Sequence, residues 1–359
     1  MRLILDNIIF QLQKVGGISI YWKEIIKRAL HDPDIELQFI AAPDRIVNFI
    51  YDEIINEEPI IKDIERISPI LNHRYLPIIL PKIKTPFVYH SSYYRPIWNS
   101  KAKSVTTIHD FIYEKFNHGI KKNVHSLQKR LSISNSDIII CISENTKKDL
   151  LEIYPQYKNK DIRVVYNGVS EGYYHLKSVD KIVEPYLLVV GNRVGCKNFD
   201  ITISAFVDKL YRDFKLKIVG QPLTEDEQLK FGSTLGRVEV ISNVPEKELN
   251  KLYNSAFALI FPSTYEGFGI PVIEAMKAGC PVITTTCSCM KEVGGNAAVY
   301  MENVNAESII KAVERLKKDC FRRETIDLGI KQSAKFSWDK TYDSVKNIYD
   351  ELNNMGDNA

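Results

Sequence analysis

The stretch Phe261-Pro-Ser-Thr-Tyr-Glu-Gly-Phe-Gly-Ile-Pro-Val-Ile-Glu274 decides how this chain is read. It follows the apolar run Ala256-Phe-Ala-Leu-Ile260 and leads through Ala275-Met-Lys-Ala-Gly279 to a second run, Pro281-Val-Ile-Thr284. Short apolar runs bounded by turn residues read as buried strands, with Pro271 as the first residue of a helix and Gly279 as its stop. The result is a strand-loop-helix-strand unit. In such units a ligand sits outside the carboxyl end of the strand, where the first helical amides are unpaired and attract anions. Glu266 therefore belongs to the binding loop and Glu274 to the first helical turn.

Two carboxylates beside an anion-attracting helix start call for a ligand that brings hydroxyls as well as phosphates. With a sugar nucleotide, Glu274 accepts from ribose hydroxyls, Glu266 holds hydroxyls of the sugar, and the amides of Gly267, Phe268 and Gly269 lie between. The bland alternative makes Glu274 a complement to the helix dipole and Glu266 a solvated loop residue.

The longer run Ser263-Thr-Tyr-Glu-Gly-Phe-Gly-Ile-Pro-Val-Ile-Glu-Ala-Met-Lys-Ala-Gly-Cys-Pro-Val-Ile283 resembles the signature of the family 4 retaining glycosyltransferases, two glutamates with seven residues between. The similarity covers nearly the whole chain and is strongest from about residue 185 to 300. It implies an α/β GT-B fold, two Rossmann-like domains facing across a cleft, with a C-terminal helix crossing back to the first domain. The expected division is residues 1–170, a linker at 171–184, a nucleotide-sugar domain at 185–335, and a closing helix and tail at 336–359. The implied activity is retaining, metal-independent transfer from a nucleotide diphosphate sugar to a glycan or lipid-linked acceptor, as in bacterial surface polysaccharide synthesis. No cofactor is implied beyond that sugar donor. By the same resemblance Glu266 contacts the donor sugar and Glu274 the ribose.

Bulk properties agree with two globular domains. The chain has 359 residues, 45% hydrophobic and 26% charged, enough for two separate cores. No apolar run approaches the roughly 18 residues needed to cross a bilayer, and Met1-Arg-Leu-Ile-Leu-Asp6 is too short for a signal peptide, so a cytoplasmic protein is expected. The six cysteines suit that compartment, and the close pair Cys287 and Cys289 lacks the further ligands of a zinc site. A net charge of +3 is too small to argue for nucleic acid.

From the N-terminus, Arg2 to Asp6 reads as a strand, followed by a polar loop, the pair Gly16-Gly17 and a helix carrying Ile18, Ile25, Ile26 and Ala29. Glycines let backbone amides approach a phosphate, a weak signal alone. In the resembling family a glycine pair here lies against the donor diphosphate or acceptor, which makes Gly16 and Gly17 site candidates, against a plain tight turn. The next strand, Glu36 to Ile40, ends without the acidic residue of a dinucleotide fold, and no full Gly-x-Gly-x-x-Gly occurs, which argues against NAD. Asp32-Pro-Asp34 superficially offers a metal-binding pair but lies at the wrong end of the sheet, so no metal is expected. Residues 45–85, isoleucine-rich and broken by prolines, are open between a helix pair packed on the core and an insertion covering the acceptor side or touching a membrane.

Ser104 to Ile108 reads as a strand ending in His109-Asp110. Thr107-Ile-His-Asp-Phe111 resembles the family segment whose histidine contacts the donor sugar near the reacting carbon, which implies that role for His109, with Asp110 orienting it or stabilising charge. Beyond it Lys121, Lys122, His125, Lys129 and Arg130 form a basic stretch on a helix, a solvated face or a dock for anionic lipid head groups at the inner membrane surface. Asp137 to Ser143 and Arg163 to Val169 complete the first sheet.

The second domain opens with the strand Tyr186 to Val190, then Gly191-Asn-Arg193 and Lys197-Asn198. Cations at a strand's ligand end suit a diphosphate leaving group. By resemblance Arg193 and Lys197 grip it, although Arg-Val-Gly-Cys-Lys-Asn departs from the commoner Arg-Lys-Asn run. Gly220 ends the next strand near the expected base pocket. In the family's alignment Ser288, Cys289 and Met290 supply backbone near the diphosphate. Two rivals share the fold: a non-catalytic sugar-nucleotide-binding subunit and a sugar-nucleotide epimerase.

Overall fold

The computed structural model describes residues 1–41, 46–70, 73–176 and 184–357. The chain divides into two compact units, residues 1–167 with 338–359, and residues 168–337.

The first unit is built on one parallel sheet. Its strands are β1 (Arg2–Asp6), β2 (Glu36–Ile40), β3 (Arg66–Ile67), β4 (Phe87–Ser91), β5 (Ala102–Ile108), β6 (Ile138–Cys141) and β7 (Asp161–Val164), in the order β3-β2-β1-β4-β5-β6-β7. β4 and β6 are buried at every position, as parallel strands covered on both faces require. The Gly17–Leu30 helix turns Tyr21, Trp22, Ile25, Ile26 and Ala29 into the core at helical spacing. The Trp338–Asp357 helix packs on β4, β5 and that helix, adding Tyr342, Val345, Ile348, Tyr349 and Leu352 to the same core. The chain's last helix thus belongs with its first strand. Tyr349 Oη lies 2.6 Å from His90 Nδ1, fixing the register of the contact.

Two expectations change here, and one left open is narrowed. The polar loop before Gly16 holds a short helical turn, Ile9–Leu12, because Ile9 and Phe10 are drawn into the core. The strand expected through Val169 stops at Val164, where its partner β6 also ends at Cys141. Of residues 45–85, several described residues pack on the core while Phe49, Ile60 and Ile70 stay exposed. Asn48 caps the Phe49–Glu57 helix, Ile50, Tyr51, Ile54 and Ile61 join the main cluster, and Ile78, Leu80 and Ile83 form a smaller one with Ile4, Phe87 and Tyr89.

The second unit repeats the plan with β8 (Tyr186–Val190), β9 (Lys215–Val219), β10 (Val238–Ile241), β11 (Ala258–Phe261), β12 (Val282–Thr284) and β13 (Val299–Tyr300), in the order β10-β9-β8-β11-β12-β13. Strand order reverses between β8 and β11, the switch point at whose carboxyl ends ligands of such sheets bind. The first part of the expected linker is tied to this unit: the amides of Tyr174 and Leu176 donate to Asn250 and Asn254 at 3.1 and 2.7 Å. The rest, 177–183, lies outside the described residues. So does the end of the tail, 358–359, while the last helix runs to Asp357.

Candidate active site

The switch point of the second sheet carries the charged residues singled out from the sequence. After β8 the chain passes Gly191 at φ 104° and Gly195 at φ 62°, then a tight turn at Gly195–Lys197. Asn198, in the left-handed conformation at φ 51°, ends that turn. Its side-chain nitrogen donates to the Pro262 carbonyl at 3.0 Å and to Thr264 Oγ1 at 3.1 Å, and the Thr264 amide donates back to the Cys196 carbonyl at 2.8 Å. The loop after β8 and the loop after β11 are therefore stitched together. Across that stitch Lys197 Nζ stands 2.5 Å from Glu266 Oε1.

Glu266 is nearly buried, and its Oε1 has an ammonium beside it but no aligned hydrogen-bond donor. It is an oxygen with acceptor capacity to spare. Its backbone is held from below. Ser288 Oγ donates to the Glu266 carbonyl at 2.7 Å, and Cys289 Sγ donates to the carbonyls of Glu266 and Phe268 at 3.3 and 3.2 Å. Burial pushes the Cys289 thiol well above its usual value, which keeps it a donor. Gly269, at φ 91°, lets the chain turn from Gly267 and Phe268 into the Ile270–Lys277 helix.

Glu274 differs from its expected place. The helix starts at Ile270, so Pro271 is its second residue and Glu274 lies in the second turn. Its carboxylate accepts from Tyr253 Oη at 2.9 Å and from the Tyr173 hydroxyl. Burial raises its pKa to about 7, outweighing both hydroxyls. Glu274 is therefore a buried acceptor, not a complement to the helix dipole.

Arg193 also differs. Its Nε and Nη2 pair with the Glu227 carboxylate at 2.9 Å, and Nη1 and Nη2 donate to the carbonyls of Gln221 and Pro222 at 2.8 and 2.9 Å. With most of its donors engaged, the guanidinium braces the loop after β9 and leaves Lys197 as the cation at Glu266. Gly220 opens that loop, where a Cβ would stand 2.9 Å from the Gly191 carbonyl oxygen, so the two loops touch backbone to backbone.

The first unit places its candidates at the carboxyl ends of β1 and β5. Gly16 precedes the Gly17–Leu30 helix, its amide donating to Ser19 Oγ at 3.1 Å, and a Cβ on it would meet Gln13 Oε1 at 2.5 Å. Gly17 is exposed at the helix start. His109 follows β5, is buried, and has the Tyr21 ring edge-on at 5.1 Å. Burial lowers its pKa to about 3, so the imidazole is neutral. Asp110 does not orient it. Its carboxylate accepts the Ile112 amide at 3.0 Å, while its carbonyl accepts from Lys129 Nζ at 2.8 Å. Lys129 is itself buried and paired with Glu114 at 2.8 Å, so it leaves the solvated basic face expected of it. His125, stacked on Tyr113 with ring centroids 4.0 Å apart, leaves that face too.

Residues 15–172 match the family model described as Glycosyltransferase Family 4, and residues 175–333 the model described as Glycosyl transferases group 1. The chain belongs to the family 4 glycosyltransferases. This glycosyltransferase is 26% identical to an uncharacterized glycosyltransferase of Methanocaldococcus jannaschii, over 98% of this chain and 99% of that one. It is 25% identical to the O-antigen chain mannosyltransferase B of Escherichia coli, over 73% and 74% of the two chains. Its fold matches the sucrose-phosphate synthase of Thermosynechococcus elongatus at a TM-score of 0.71 and 17% identity, over 98% and 99% of the chains. Its two parallel-sheet units are of the GT-B type.

Sequence reasoning missed several residues of this glycosyltransferase that hold the site. Asn198 stood beside Lys197 in plain view, and its left-handed backbone is the signal a short Lys-Asn turn carries. Tyr253 and Tyr173, the partners of Glu274, lie 21 and 101 positions upstream of it and carry no local pattern. Ser288 and Cys289 act through side chains where only their backbone was expected to matter. Asp32 accepts from Tyr342 Oη at 3.0 Å, on the last helix of its own unit.

Proposed function

We propose that this glycosyltransferase takes a nucleotide diphosphate sugar as donor and passes the sugar to a glycan or lipid-linked acceptor, with retention at the anomeric carbon and without a metal. The observation that carries the reading is the Lys197–Glu266 pair at the switch point of the second sheet. One group is built for the diphosphate and the other for sugar hydroxyls, on loops stitched to each other.

In this reading the donor diphosphate draws Lys197 away from Glu266, and the fixed ammonium offsets the charge that develops as the glycosidic bond breaks. Glu266 then accepts hydroxyls of the sugar, and Glu274, held by Tyr253 and Tyr173, accepts those of the ribose. His109, being neutral, can both donate and accept a hydrogen bond at the sugar. The reading assigns no side chain as a nucleophile and has the acceptor hydroxyl attack on the face the diphosphate leaves. Arg193 holds the loop after β9 and touches the donor only through that loop. The Escherichia coli relative makes mannose the first sugar to try and surface polysaccharide the first setting.

The test is incubation of the purified protein with labelled nucleotide diphosphate sugars, mannose first, and a bacterial lipid and glycan extract, with and without a chelator. Transfer that survives chelation and yields the same anomeric configuration as the donor supports the reading. Donor epimerisation, inversion, or transfer that stops with the chelator overturns it.

A further inference from the structure

A recess of about 270 Å³ opens in the first unit, between Arg74 and Tyr75, the rings of Tyr93 and Tyr113, and Lys121 and His125 of the Gly119–Asn135 helix. Tyr93 follows β4 by two residues, and Tyr113 lies on a short helix, Ile112–Phe116, just after β5. β4 and β5 are parallel neighbours, so the recess stands at the sheet edge that also carries His109.

The walls of the recess are held to one another. His125 stacks on Tyr113 with ring planes 16° apart, and its Nε2 lies 2.9 Å from Tyr93 Oη. Gln128 Nε2 donates to the Arg74 carbonyl at 3.0 Å, which ties the Arg74 segment to the helix. Behind His125, at 3.6 Å from its Nδ1, Glu114 is already paired with Lys129.

Arg74 is the exception. Arg193 is engaged by Glu227 and Arg95 by Asp6, but the Arg74 guanidinium forms no hydrogen bond or ion pair with a described residue, and its Nε is shut off from solvent. It lies over the Tyr75 ring at 4.5 Å. Buried polar groups are nearly always paired, so an arginine left over on the wall of a recess calls for a partner that enters it. Charge says which kind. Lys121 adds a second cation at the exposed rim, and among the described residues no Asp or Glu lines the recess. A guanidinium suits a carboxylate or a phosphate, while the tyrosines offer flat apolar rings that end in hydroxyls. Charge and rings together fit a sugar ring bearing an anion better than a bare anion. The volume falls just short of the roughly 300 Å³ at which sites for whole drug-sized ligands begin, which is room for a single unit.

We propose that this recess binds a negatively charged sugar unit of the acceptor, a ring bearing a carboxylate or a phosphate, with Arg74 and Lys121 at the anion and the tyrosines against the ring. That the ligand belongs to the acceptor rests on the transfer reading above. The recess itself stands on its own geometry.

Titration of the full-length protein, with no donor present, by glucuronate, glucose 6-phosphate, glucose and inorganic phosphate tests it, read by calorimetry and saturation-transfer NMR. One or both charged sugars should bind, and which of them binds names the anion. Glucose and inorganic phosphate should bind roughly tenfold more weakly or worse. Arg74→Gln should weaken the charged sugar roughly tenfold or more, through the loss of one charge-assisted contact, at an unchanged melting temperature. Lys121→Gln, at the exposed rim, should weaken it roughly two- to fivefold. Lys197→Ala, in the donor site, should leave it unchanged. A protein that binds the charged sugars and transfers nothing counts against the transfer reading and not against the recess. Failure of both charged sugars to bind, equal binding of glucose or inorganic phosphate, binding lost in Lys197→Ala, or binding unchanged in Arg74→Gln overturns the proposal, whether or not the protein transfers.

Discussion

Lys197 and Glu266, 69 positions apart, meet at 2.5 Å because Asn198 joins the loops that carry them. The pair keeps some solvent exposure and sits in loops at the carboxyl end of its unit's sheet, outside the core, so its removal should cost activity and not the fold. Lys197→Ala and Glu266→Ala are each expected to lower kcat/KM by about 100- to 1,000-fold, with a melting temperature within a few degrees of wild type. Initial rates and thermal melts on the same preparations check this. An unchanged rate in either variant removes that residue from the site.

Glu274 gives a pH signature in stability. Its pKa is raised from 4.5 to about 7 in the folded protein, so between those values the folded state holds a proton the unfolded state has released. Stability should therefore fall as pH rises from 4.5 to 7, with the penalty, up to about 3 kcal/mol, complete above 7. Glu274→Gln should flatten that slope. Urea unfolding at pH 5 and pH 8, on wild type and variant, measures the difference.

His109 should leave no mark on the pH–rate profile. A neutral imidazole with a pKa near 3 does not titrate between pH 5 and 8, so no limb of kcat/KM in that range should vanish in His109→Gln. The variant should still lose rate through the missing hydrogen bond. A profile whose acid limb disappears with His109 would mean that the imidazole becomes charged at work.

Gly269 is held at φ 91°, and a Cβ there would stand 2.6 Å from Met290 Cε. Gly269→Ala should destabilise by about 1–2 kcal/mol from the backbone conformation alone. Met290 can move its flexible end, so Gly269→Ala with Met290→Ala should recover none of that backbone share. Denaturant melts of the single and double variants separate the two effects.

The first sheet has its own test. Arg95 and Asp6 form an ion pair at 3.1 Å that is wholly buried, with Ser91 Oγ donating to the same carboxylate. Removing one partner of a buried pair leaves the other uncompensated, so Arg95→Met should cost about 3 kcal/mol or more. Equilibrium unfolding checks the value.

The sheets were legible in the sequence because buried parallel strands are short apolar runs, and Ala256–Ile260 and Tyr186–Val190 show them plainly. The Lys197 and Glu266 loops were legible for the same reason: each follows such a run. What escaped depends on tertiary context. Arg193 looked free beside a strand end, yet its partner Glu227 comes 34 residues later. In sequence the cations of the Gly119–Asn135 helix suggest an outward basic face, and only packing reveals that Lys129 faces in and Leu127 out. Residues 45–85 resisted because prolines interrupt their isoleucines before any period can repeat.

The resting ammonium at Glu266 also changes what the pocket can mistake for its ligand. A bare anion such as inorganic phosphate must pull Lys197 from its carboxylate and offers that carboxylate nothing in return. A molecule bringing both negative charge and hydroxyl groups satisfies the two partners at once. In the proposed reading the site therefore favours a nucleotide sugar, which brings both, over a simple salt that carries charge alone.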